Sequence, residues 1–241
     1  MPTDQDFRHR PGPNTQHDLT SLRIEHAASA LRRAGALDVD AYELKLRQNA
    51  PNAVQVVNHL SEARVALMFL ESGAQVTMRD SPDLEIGWLG ARFFAEVKHF
   101  NRKEQDGLDE AAARAAKGGF VTFGDTSLIE GRHSYEQVSD VARRKKHQYV
   151  EGALNILAVD SGSESMLLAD ATARSGAKEY DEEILKNPND FALRRLHGIM
   201  LVAEWGSAGL GSRNVAFAMT EHALPRMSWD LIQALKSIGR G

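Results

Sequence analysis

The period of the apolar positions changes several times along this chain, and each change marks an element. From Leu19 to Gln48 the spacing of Leu22, Ile24, Ala27, Ala28 and Leu31 is helical; Gly35 interrupts it, and a second short helical stretch covers Ala41 to Leu46. A longer helix is predicted from about Asn52 to Glu71, with Val54, Val57, Val65, Met68 and Phe69 as its buried stripe and Ser72-Gly73 ending it. The period then falls to two. Ala74 to Met78 reads as a short strand, followed by LEIGWL (84–89) and ARFFAEVKHF (91–100), two strands that turn at Gly90-Ala91 because Gly tolerates positive φ.

Residues 101–133, rich in charge, Ala and Gly, read as an insertion with one helix over Leu108 to Ala116. A helix starts at Ser134, where Ser134 and Gln137 fit a capping box, and runs to about Glu151. NILAVD (155–160) is a buried strand. After a second, helical insertion come strands GIMLVAEW (198–205) and NVAFAMT (214–220), then an amphipathic helix, SWDLIQALKSI (228–238). The expected fold is α/β with a mixed sheet: a helix, three strands, a helix and a strand, with additions at both ends. Residues 1–18, with Pro11, Gly12 and Pro13 and little to bury, read as a flexible tail, 19–51 as a helical N-terminal extension, and 52–241 as the main domain.

Side chains of a strand alternate between the two faces of a sheet, so parity sorts the hairpin. Leu84, Ile86 and Trp88 share one face with Phe93, Ala95 and Val97 of the partner strand. If those apolar sets face one core, Asp83, Glu85, Glu96 and Lys98 emerge together on the other side. A Gly90-Ala91 turn pairs Asp83 with Lys98 and Glu85 with Glu96; a slip of two shifts the pairs and keeps the face. Crowded carboxylates repel one another unless a cation sits between them, and Asp and Glu oxygens are what Mg²⁺ prefers. Taken alone, the same residues also suit a solvated hairpin face with cross-strand Asp/Lys pairs.

Composition narrows the chemistry. With 42% hydrophobic residues in 241, the chain can bury a substantial core. There is no Cys, which excludes disulfides and thiolate zinc, so a metal would use oxygen or imidazole ligands. The nine His are scattered, without an HxH or HxxxH pair, which turns attention to oxygen. A net charge of -4 is not that of a uniformly basic nucleic-acid-binding protein, so any phosphate-binding groove must be local. The N-terminus has no apolar core of a signal peptide and no stretch approaches the roughly 20 apolar residues of a membrane span, so a soluble cytoplasmic protein is expected.

Ser81-Pro82-Asp83, followed by Ala95-Glu96-Val97-Lys98, resembles the signature of the PD-(D/E)XK nuclease superfamily, and Glu96 stands thirteen positions after Asp83. The resemblance covers about residues 52–160 and implies a restriction-endonuclease-like αβββαβ core. It implies Mg²⁺ or Mn²⁺ held by Asp83, Glu96, Val97 and Glu62, with Lys98 orienting water or stabilising the phosphorane, and hydrolysis of nucleic-acid phosphodiesters, DNA ahead of RNA. Glu62 also stands out on its own helix, since Val65, Ala66 and Phe69 follow it at i+3, i+4 and i+7 and set it beside the buried stripe. Members often aim a Lys or Gln from the helix after the hairpin at the site. In VARRKKHQY (141–149), Lys145 and Gln148 lie roughly on the face of Val138 and Val141, whereas Arg144 and Lys146 point elsewhere and suit phosphate contacts. The QxxxY spacing of the RecB-like branch is lacking, because Val141 stands four positions after Gln137. Double-strand cutting by a one-site core ordinarily requires two copies, so a homodimer, or a partner protein supplying target choice, is expected. The alternative is a catalytically inactive nuclease-like module that binds nucleic acid or protein in a larger complex.

Overall fold

The structure, a computed structural model, describes residues 13–99, 134–161, 169–204 and 213–238. The helix expected over Leu108 to Ala116 and the side chain of the expected cap, Ser134, lie outside the described residues. The elements run α1 (Pro13–Ala34), α2 (Val39–Gln48), α3 (Ala53–Glu71), β1 (Gln75–Met78), β2 (Leu84–Trp88), β3 (Ala91–His99), α4 (Ser134–Arg144), β4 (Leu154–Asp160), α5 (Ala169–Lys186), a short 3-10 turn (Phe191–Arg195), β5 (Gly198–Glu204), β6 (Arg213–Met219) and α6 (Trp229–Ser237). The fold is mixed α/β, built on one six-stranded mixed sheet in the order β1-β2-β3-β4-β5-β6. Neighbours are antiparallel from β1 to β3, parallel from β3 to β5, and antiparallel again between β5 and β6.

Each face of the sheet carries one helical layer. Leu84, Ile86, Phe93, Ala95, Val97, Ile156 and Ala158 pack against α1, α2, α3 and α6, while Leu157, Val159, Ile199 and Leu201 pack against α4 and α5. The strand parity read from sequence therefore holds, with Phe69 meeting both Trp88 and Phe93 edge-on at ring centroid distances of 6.2 and 5.7 Å. The turn falls one residue earlier than expected. Trp88 pairs with Ala91, and Leu89 and Gly90 both take positive φ, 51° and 75°. A two-residue hairpin of this hand requires positive φ at both central positions, and here Gly supplies the second at no steric cost. The pairing thus moves to Leu84 with Ala95 and Glu85 with Phe94, and every side chain keeps its face.

Helix α3 starts at Asn52, whose side chain accepts a hydrogen bond from the Gln55 N–H at 3.2 Å. Its buried stripe is Val56, Ala63, Val65, Ala66, Met68 and Phe69, whereas Val54, expected inside, is exposed near the open first turn and Val57 is half-buried. Helix α1 begins at Pro13, inside the stretch expected to be a tail. The N-terminal helices do not stand apart: Ile24, Ala28, Leu31, Val39, Tyr42 and Leu46 belong to the same core as the sheet. Between α1 and α2, Leu37 forms a parallel bridge with Thr77, donating to Val76 O at 2.9 Å and accepting from Met78 N at 3.0 Å, so the link pairs with the outer side of β1. No helix among the described residues is long and apolar enough to cross a membrane.

Candidate active site

Asp83 directly precedes β2, and continuing the register by one position sets it opposite Glu96. One carboxylate oxygen of Asp83 accepts the main-chain N–H of Val97 at 2.8 Å, which fixes the side chain against β3. Glu96 and Lys98 project toward α4, and Lys145, just beyond that helix, reaches Glu96 with Nζ 2.7 Å from Oε1. Glu62 comes from the middle of α3 and lies beside Asp83 at the margin of the sheet. Two groups hold it. His59 Nδ1 is 2.7 Å from Oε1, and because a carboxylate only accepts, that nitrogen carries the hydrogen; Lys45 Nζ is 3.3 Å from Oε2. Lys45 also stands 4.0 Å from Asp83 Oδ1. The carboxylate side chains are nearly closed to solvent, 6% exposed for Glu62, 11% for Asp83 and 3% for Glu96.

The electrostatics follow from this packing. Burial pushes the Asp83 carboxyl well above the ordinary Asp range, and the negative charges of Glu62 and Glu96 push it further; the Val97 N–H and Lys45 oppose them. Burial lowers the Lys98 ammonium, the neighbouring Lys145 lowers it again, and Glu96 and Asp83 pull it back up. Asp83, Glu62 and Glu96 face Lys45, Lys98 and Lys145, so three carboxylates meet three ammonium groups with no formal charge left over. Among the described residues, no group of three or more His, Cys, Asp or Glu is arranged to hold a metal ion. Each carboxylate turns instead toward its own lysine or main-chain partner.

The structure redistributes several expected site residues. Asp83, Glu96, Lys98, Glu62 and Lys145 come together. Glu85 shares their sheet face but sits further toward the turn, between Arg79 at 2.5 Å and Arg92 at 2.6 Å. Parity assigns a face and says nothing of position along the strand, where two residues are nearly 7 Å apart. Helix α4 stops at Arg144, seven residues short of the expected end: the chain tightens into turns as Gln148 N bonds Lys145 O at 2.8 Å, and Tyr149 folds back to donate to Ala142 O at 3.2 Å. Gln148 is therefore exposed in the turn. Arg144 is exposed, whereas Lys146 is paired with Asp190. His99, of opposite parity to Lys98, meets α3 instead, with Nδ1 3.1 Å from Ser61 Oγ.

Lys45 and His59 are the site residues that the sequence reading did not select. Lys45 lies three positions after Tyr42 and beside Leu46, both buried, so the face of α2 was readable from the wheel. What that face meets was not. Comparisons with protein-family models, with curated proteins and with solved structures find no match for this chain.

Proposed function

We propose that the chain is a metal-dependent nuclease of the PD-(D/E)XK type, hydrolysing nucleic-acid phosphodiesters, DNA ahead of RNA. The observation that carries this reading is the convergence of Asp83, Glu96 and Lys98 with Glu62 at the margin of the sheet, on elements that run helix, three strands, helix, strand. That order, with the Asp before one strand and Glu-x-Lys late in its hairpin partner, is what a restriction-endonuclease-like core requires.

The donor chemistry fits a hard divalent ion. The available groups are carboxylates and the main-chain carbonyl of Val97, the one ligand that residue has to offer, and the Asp83 carboxyl, raised by burial and by the neighbouring Glu62 and Glu96, is one that a bound cation would hold in its charged form. Mg²⁺ or Mn²⁺ would be held by Asp83, Glu96, Val97 and Glu62, and would supply polarisation of a phosphoryl oxygen and a hydroxide from bound water. The chain's own part is positioning and charge. The Val97 N–H holds Asp83 in place, His59 orients Glu62, and Lys98 presents a half-buried N–H donor to a phosphorane oxygen, where its charge acts at short range.

A second reading has a specific observation behind it. The carboxylates already have ammonium partners, as they would in a nuclease-like module that binds without cutting. Single- and double-stranded DNA and RNA incubated with Mg²⁺ or Mn²⁺ separate the two. Cleavage abolished by EDTA, and supported poorly by Ca²⁺, is the expected result; metal binding with every substrate intact would favour the binding module.

A further inference from the structure

Lys45 reaches the site from the helical N-terminal extension, and its ammonium lies between the carboxylates of Glu62 and Asp83, 3.3 and 4.0 Å away. Those are two of the groups that the nuclease reading gives to a divalent ion. The site is already formally neutral, so a divalent ion added to it as it stands would leave two positive charges in a space where the carboxylates are nine-tenths buried or close to it. Like charges a few ångströms apart with little water between them repel strongly. One ammonium has to move. Lys98 is set in β3 and half-buried, and Lys145 holds Glu96 at 2.7 Å, a closer contact than either that Lys45 makes. Lys45 is on a helix surface, its side chain is 21% exposed, and a lysine stem can swing its charged end into water while its methylenes keep their packing.

On the nuclease reading, we propose that Lys45 is an exchangeable counter-cation: it holds Glu62 and Asp83 together in the metal-free protein, and a divalent ion takes its place. The displaced ammonium then turns to the rim of the site, where it is free to meet a backbone phosphate. Metal loading and affinity for a polyanion are thereby coupled through one side chain. The N-terminal extension is then part of the active site as well as a cover for it.

Two measurements test this. In the first, lysines of the wild-type protein are acetylated briefly with and without Mn²⁺ and the Lys45 peptide is quantified against other surface lysines. Exchange requires the Lys45 signal to rise several-fold on adding Mn²⁺; an unchanged or reduced signal overturns it. In the second, Mn²⁺ affinity is compared for wild type, Lys45→Met and Lys45→Arg. Removing the competing charge should tighten binding at least about tenfold in Lys45→Met, and leave Lys45→Arg near wild type. Lys45→Met should also melt earlier in EDTA and recover with Mn²⁺. A folded Lys45→Met that binds Mn²⁺ no more tightly overturns the exchange, and if that variant does not fold the wild-type labelling decides. Glu96→Ala separates the two levels of inference. Mn²⁺ bound in a Glu96-dependent way with Lys45 labelling unchanged removes the exchange alone; no Glu96-dependent Mn²⁺ binding removes the nuclease reading together with it.

Discussion

The parallel strands β3, β4 and β5 end in two buried polar clusters of opposite design. At their amino ends, Asn155 is satisfied by main chain: its amide nitrogen faces the carbonyls of Val150, Ala153 and Arg195 at 2.8, 2.9 and 3.0 Å, and its oxygen accepts from Val150 N at 2.8 Å. His197 beside it has Nε2 2.6 Å from Pro225 O, an acceptor, so that nitrogen carries the hydrogen, while Nδ1 stands 3.1 Å from Asn155 N and 2.9 Å from Arg195 O. Toward the carboxyl end of β3, side-chain charges are balanced mainly by other side-chain charges. Main-chain partners have one arrangement; ammonium groups on flexible stems have several. The first cluster fixes a fold, and the second can change partners.

The largest effect expected is on the charged end. On the proposed nuclease reading, Lys98→Ala should lower the cleavage rate at least about 10²-fold, the usual scale for one electrostatic stabiliser, with metal binding kept. Single-turnover kinetics beside Mn²⁺ titration measure both, and unchanged cleavage would place the chemistry elsewhere. Asn155→Ala should do the reverse: it strands buried carbonyls and should cost roughly 2–4 kcal/mol in urea unfolding, with turnover per folded molecule unaltered. A loss of turnover without a loss of stability would break the division between the ends.

The two ends should also titrate in opposite senses. The Asp83 carboxyl is raised in the fold, so its contribution to stability is complete below its ordinary value and is lost as pH climbs through the folded one. Burial lowers His197, so its contribution is complete above its ordinary value of 6.5 and is lost as pH falls through the folded one. In EDTA, Asp83→Asn should remove the loss on the high-pH side of the melting profile and leave the acid side intact. His197→Gln should flatten the acid side alone. The smallest effect concerns the phosphate contacts. Because Lys146 is paired with Asp190 and Arg144 is exposed, Arg144→Ala should reduce the slope of log affinity against log salt by about one, and adding Lys146→Ala should change it little further. A second full step in slope would show Lys146 leaving Asp190 for the nucleic acid.

The hairpin was legible in the sequence because parity survives a change of register: the turn moved by one residue, and Asp83, Glu96 and Lys98 still share a face. Position along the strand and partners across layers are tertiary properties that no period records. Glu85 consequently looked like a site carboxylate, and Lys45 looked like an ordinary helix lysine. Gln148 fell outside because the helical pattern of 141–149 runs on past the point where Tyr149 folds back onto Ala142. The six-stranded mixed sheet and its helical layers followed the predicted order of elements, while the Leu37 bridge to β1 left no trace in hydrophobic spacing.

That bridge bears on how this chain can be recombined. The join between residues 51 and 52 looks in sequence like a seam between an accessory segment and a core, the natural crossover point for a chimera. In three dimensions it is no seam, because an exchange there would replace at one stroke the outer partner of β1, the packing of Tyr42 and Leu46, and the lysine set between Glu62 and Asp83. Residues 37–46 and the hairpin of β2 and β3 must therefore be inherited together.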